Sequence, residues 1–79
     1  SIMNKVQFIK DRDAAFLSMD KEIILVFCRK YNIDMPSNDL VFWAGIHKAI
    51  YTLATSPQDK KDISKKWLLD HGFSTDIKF

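Results

Sequence analysis

Two glycines and two prolines are the only backbone breakers in this chain, and three of the four stand where a helix would start or stop. Pro57 lies within Ser56-Pro57-Gln58-Asp59, close to a capping box, with proline at the first helical position where its missing N–H is harmless. Gly72, between His71 and Phe73, suits the left-handed residue just past a helix end, and Phe73 can then close the cap onto Leu68. Pro36 precedes Ser37 and Asn38, either of which caps a following helix. An all-β domain of this size needs many more turns, so the expected class is all-α.

Three helices are readable, over about 21–31, 39–54 and 57–71. Asp20 is a good N-cap for the first, with Ile23, Ile24, Phe27, Cys28 and Tyr31 along one face. Asn32 takes the left-handed position after it, with Ile33 as the returning apolar contact. The second helix carries a core stripe of Phe42, Ile46, Ala49, Ile50 and Leu53, and beside it Trp43, His47, Tyr51 and Ala54 at successive i,i+4 steps. Val41, Gly45, Lys48 and Thr52 form a third face. Gly45 costs ~1 kcal/mol against alanine inside a helix, which a closely approaching backbone or ligand would explain. Ile63, Trp67 and Leu68 give the last helix a narrow apolar edge, and Asp62 pairs with Lys66. Upstream, Val6, Phe8 and Ile9 make a short strand or a helical turn, after which Asp11 or Asp13 caps a short helix. The expected architecture is therefore a small three- to four-helix domain with a tight C-terminal helical pair.

Seventy-nine residues are expected to form one domain, 1–79, with Ser1 and Ile2 as additions ahead of Met3 and 74–79 as a tail. A core this small leaves net stability of only ~3–5 kcal/mol. Ten aromatic residues exceed what it readily hides, so a homo-oligomer is expected. The single Cys28 excludes an internal disulfide and fits a reducing cytoplasm. No apolar run spans a bilayer, so no membrane partner is expected. A net charge of +2 compels no nucleic-acid partner.

Catalytic and metal motifs are not evident. The two histidines lie far apart in sequence, no Cys-x-x-Cys or His-x-x-x-His spacing occurs, and no cofactor or metal is expected. Asp11 and Asp13 sit in a solvated charged run, and the chain is expected not to be an enzyme. His47, between Trp43 and Tyr51, reads either as a half-buried histidine packed among rings at an interface or as part of a ligand site. In the second reading Trp43 or Tyr51 stacks on a planar ligand while His47, Lys48 and Ser64 meet its polar groups. Lys48, Lys65 and Lys66 would neutralise phosphate, although each taken singly reads first as a solvated lysine balanced by Asp59, Asp62 and Asp70. The Thr55-Ser56-Pro57 junction allows a helix-turn-helix, but the helix after it lacks Arg and Asn for reading bases.

The run Phe42-Trp43-Ala44-Gly45-Ile46-His47-Lys48-Ala49, with Ser64-x-x-Trp67-Leu68-x-x-His71-Gly72-Phe73 after it, resembles a group of short uncharacterised proteins of bacteriophages and prophages. The resemblance implies a phage accessory protein made in the bacterial cytoplasm, and counter-defence is a common role for such proteins. Three functions are then expected in order: capture of a small cyclic nucleotide in an oligomer, inhibition of a host defence enzyme by protein–protein contact, and helix-turn-helix regulation. The candidate ligand residues are Trp43, Gly45, His47, Lys48, Tyr51, Ser64, Lys65, Lys66 and Trp67, placed from their chemistry.

Overall fold

The computed structural model describes residues 2–76, and within them the chain is all-helical: α1 Ile2–Leu17, α2 Lys21–Lys30, α3 Asp39–Thr52 and α4 Gln58–Asp70. It divides into two compact units, one ending at Met35 and one beginning at Pro36. No helix among the described residues is long and apolar enough to cross a membrane.

In the first unit α1 runs unbroken for 16 residues, so Val6, Phe8 and Ile9 are helical and not a strand, and the short Asp-capped helix is corrected. Ile2, set aside from the sequence, is its first residue. The misleading signal was Val6 and Ile9, which are 43% and 41% exposed. Phe8, Asp11 and Ala15, spaced three and four apart, instead mark the face that meets α2. Asp11 caps nothing. Its carboxylate accepts hydrogen bonds from the Tyr31 hydroxyl, from Lys30 Nζ at 3.0 Å and from Gln7 Nε2 at 2.8 Å. Those bonds, Tyr31's foremost, hold its pKa down at about 2. Around this clamp Phe8, Phe16, Phe27 and Tyr31 form a ring cluster with centroids 4.9–5.7 Å apart, the range in which tilted aromatic pairs attract.

The limits of α2 follow the sequence reading. Asp20 accepts from the backbone N–H of Glu22 at 2.9 Å and of Ile23 at 3.3 Å. At the other end Asn32 adopts φ 55° and the Ile33 N–H reaches the Cys28 carbonyl at 2.9 Å, closing the cap. Ile24, Phe27 and Cys28 are buried as expected, whereas Ile23 stands 48% exposed.

In the second unit Asn38 caps α3 by accepting from the Val41 N–H at 3.0 Å. Phe42, Ile46 and Ile50 are its most deeply buried side chains. α3 stops at Thr52, slightly short of the expected 54. Leu53 is extended, and the Thr52 hydroxyl donates back to the Lys48 carbonyl at 2.9 Å. The capping box at Ser56 does not form. Pro57 itself is the N-cap, no side chain caps α4, and the Ser56 hydroxyl is buried without a hydrogen-bond partner. The C-terminal signal holds: Gly72 has φ +80°, and the Phe73 N–H meets the Leu68 carbonyl at 2.8 Å. Residues 77–79 of the expected tail lie outside the described residues.

α4 is turned by about one position from the expected edge. Ser64 and Leu68 are fully buried and Ile63 is 48% exposed. The expected Asp62–Lys66 pair is replaced by Gln58 donating to Asp62 at 2.9 Å and Lys66 to Asp70 at 2.8 Å. α3 and α4 pack closely against each other.

Nothing lies within 4 Å of where a Cβ on Gly45 would sit, so no chain segment approaches closely there among the described residues. Gly45→Ala is therefore expected to raise stability by ~1 kcal/mol, read from urea denaturation. A loss on substitution would mean that something outside this fold needs the bare backbone.

Candidate functional site

The α3–α4 pair brings together four of the residues singled out from sequence, in an arrangement that no one helix reveals. Trp43 and His47 lie one turn apart on α3, and Trp67 and His71 one turn apart at the end of α4. Packing places the two sets side by side. Trp43 lies 5.7 Å from the His47 ring, and His47 stacks with Trp67 at 4.6 Å and 24°. Trp67 in turn stacks with His71 at 3.9 Å and 17°, and lies within 14° of parallel to Phe73 at 5.9 Å. Phe42 meets Trp43 edge-on at 5.1 Å. Trp67 is thus the centre of a continuous ring cluster.

Two polar contacts lock it. His47 Nδ1 and the Ser64 hydroxyl are hydrogen-bonded at 2.9 Å, with His47 only 5% exposed and Ser64 fully buried. His71 Nδ1 lies 2.7 Å from the Trp67 carbonyl, so that nitrogen carries the proton and donates. The same carbonyl also accepts from the His71 backbone N–H at 3.1 Å, so the imidazole adds a second donor to it. The ring plane of His71 is fixed by the same turn that terminates α4.

A serine hydroxyl beside an imidazole invites comparison with a nucleophile and its base, but the chemistry needs more than the pair. The nucleophile must meet a substrate and the imidazole needs a third group to orient it. Here Ser64 is fully buried, with its hydroxyl bonded to His47. The pair behaves as a buried polar tie between two helices. No cluster of three metal-ligating side chains occurs among the described residues.

His47's pKa is lowered from the usual 6.5, first by burial and then by the neighbouring positive charge of His71. The folded protein thus resists protonating His47, whereas the unfolded chain accepts the proton near the ordinary value. The unfolded state binds more protons as pH falls below 6.5, so His47's contribution to stability is complete above that value and declines below it. Thermal melts are expected to show a lower midpoint near pH ~5 than near ~7.5, since imidazoles titrate in that interval. The difference should shrink in His47→Gln. A flat profile across this interval would show that His47 is not held neutral. Asp11 does not confuse the test, because its window lies below 3.8.

Of the remaining predicted residues only Lys48 borders the ring cluster. Lys48 is exposed with its ammonium 5.4 Å over the Phe73 ring, a cation–π contact. Lys65 and Lys66 are exposed on α4, and Lys66 is engaged by Asp70. Gly45 is exposed on the open side of α3, and Tyr51 is half-buried outside the ring cluster. His71 and Phe73 were read from sequence only as cap residues. The one available hint was the i,i+4 step from Trp67 to His71, which mirrors that from Trp43 to His47.

With that geometry in place, comparison finds no matching family model, no matching curated protein and no matching solved structure.

Proposed function

We propose that this chain is a non-catalytic binding protein that acts by docking onto another protein. The observation that carries this is where its reactive and its sticky groups lie. His47 and Ser64 satisfy each other, Trp67 is occupied by two imidazoles, and Lys66 is held by Asp70. The groups a nucleotide would need are largely consumed within the α3–α4 pair. Large apolar side chains are meanwhile exposed on every helix: Ile2 and Met3 at 79% and 76%, Val26 at 57%, Val41 at 51% and Leu69 at 54%. Aliphatic exposure of that extent on one small chain supports association. In the setting implied by the phage resemblance, the partner would be a host defence protein and the effect inhibition.

Nucleotide capture stands as the second reading, favoured by one feature: the half-buried Trp43 and the exposed Lys48 both border the ring cluster, Trp43 beside His47 and Lys48 over Phe73. The two separate in a thermal-shift series against linear and cyclic nucleotides. Protein docking predicts no shift with any of them. Capture predicts a shift equivalent to ~2.7 kcal/mol at 100 times the dissociation constant, lost in Lys48→Ala. Light scattering over a concentration series tests self-association, where a monomer mass at all concentrations removes the expected homo-oligomer.

A further inference from the structure

The α1–α2 unit carries a groove of about 410 Å³ lined by Asn4, Lys5, Phe8, Ile9 and Tyr31. It lies within the volume range of small-ligand clefts, yet its lining is mainly apolar side chain and the aliphatic stem of a lysine. Such a recess suits one large apolar anchor better than a polar molecule. Beside it, Ile2, Val6 and Ile9 recur at steps of four and three along α1 and are 79%, 43% and 41% exposed. Those steps place them on one helix face, the pattern by which helices meet other helices.

Charge distinguishes the candidate occupants of this face. By helical position Lys5 flanks the stripe on one side and Lys10 on the other. Both are exposed, and neither has an ion pair among the described residues. The nearby carboxylates are already used: Asp11 is taken by Tyr31, Lys30 and Gln7, and Asp13, further along the stripe, is bound by Arg12 at 2.9 Å. A second copy of α1 would bring lysines against lysines, which disfavours self-pairing through this face.

Building on the protein-docking reading, we propose that the α1 stripe and its groove form a docking surface for an acidic amphipathic helix of a partner protein. The partner's apolar anchors fill the groove and cover Ile2, Val6 and Ile9, and its carboxylates face Lys5 and Lys10.

The test uses two fluorescent helical peptides with the same leucine stripe, one flanked by glutamates and its twin by lysines. Anisotropy titration of the full chain is expected to favour the acidic peptide by ~10-fold or more, the size of effect charge complementarity produces at low salt. Ile9→Glu should abolish that binding, and the Lys5→Glu/Lys10→Glu double variant should reverse the preference. All these positions are exposed, so unchanged circular dichroism confirms that folding is intact. Equal binding of the twins, no binding of either, or acidic binding that survives both variants overturns the proposal. So does binding to phosphatidylglycerol vesicles with none to peptide, which would make the face lipid-directed. The nucleotide thermal-shift series keeps the failures apart. No peptide binding and no nucleotide shift rejects this surface alone, whereas a nucleotide shift without peptide binding rejects protein docking as well.

Discussion

Replacing Trp67 with alanine is expected to lower folding stability by about 3 kcal/mol, most of what a domain of this size typically possesses. The indole touches the His47 ring at 4.6 Å, the His71 ring at 3.9 Å and the Phe73 ring at 5.9 Å, so truncation opens the cluster on several sides at once. Fully buried aromatic truncations cost ~3–5 kcal/mol, and the partial exposure of Trp67 places it at the low end. Trp67→Phe keeps a flat ring in the same place and is expected to lose less than half as much. Urea denaturation followed by circular dichroism measures both. A cost under ~1 kcal/mol for the alanine variant, the range of an ordinary surface change, would mean that the ring cluster is not structural. Trp67 would then be available to a ligand, and nucleotide capture would become the leading reading.

Ser64→Ala should follow with a loss of ~1–3 kcal/mol, because removing one partner of a buried hydrogen bond leaves the other desolvated and unsatisfied. The orphan is His47 Nδ1, on a ring only 5% exposed. The cost of the orphan and the value of the bond separate in a double-mutant cycle. His47→Leu/Ser64→Ala, with both polar groups gone, should recover much of the loss that Ser64→Ala suffers alone. Additive losses would show that the 2.9 Å contact contributes nothing by itself. Loss of a chemical activity in Ser64→Ala without loss of stability would reopen the catalytic possibility.

The two outcomes together bear on how the chain works. Both ring stacking and the His47–Ser64 bond hold α3 against α4, and of the cluster only His71 is exposed. The α3–α4 pair is then a rigid support whose interactive parts are its exposed aliphatic side chains and lysines. In α1 and α2 a similar division occurs. The Asp11–Lys30–Tyr31 clamp and the phenylalanine cluster hold the helices together, and the opposite side of α1 presents isoleucine and valine between lysines.

Helix ends were legible in the chain because caps are local chemistry. Asp20, Asn38, Asn32 and Gly72 each act within four residues, through bonds between a side chain or a left-handed backbone and the nearest orphan groups. Ser56 shows the limit of that logic. Its neighbours make a good capping box, but its hydroxyl is drawn into the interior and Pro57 takes the boundary. The all-α class followed from the scarcity of breakers. The core stripe of α3 followed from its spacing, since Phe42, Ile46 and Ile50 can share only one face of a helix.

The pairing of α3 with α4 was legible from their short connection, but which faces meet was not, because sequence spacing is silent on that. Val6 and Ile9 offered α1 an apolar pattern, but the inward face is the one where Asp11 can reach Tyr31 and Lys30, some twenty residues on. Ile63 was expected on the apolar edge of α4 and Ser64 at a ligand. A rotation of α4 by about one residue exposed Ile63 and buried Ser64, because a small hydroxyl next to His47 lets the helices approach while Trp67 covers the imidazole. What the residues determined alone is the all-α class, both ends of α2, the start of α3 and the end of α4. Only the tertiary structure decided that two tryptophans and two histidines from separate helices become one cluster. Stacking and burial act between elements, and their strength depends on distances that a linear order does not contain.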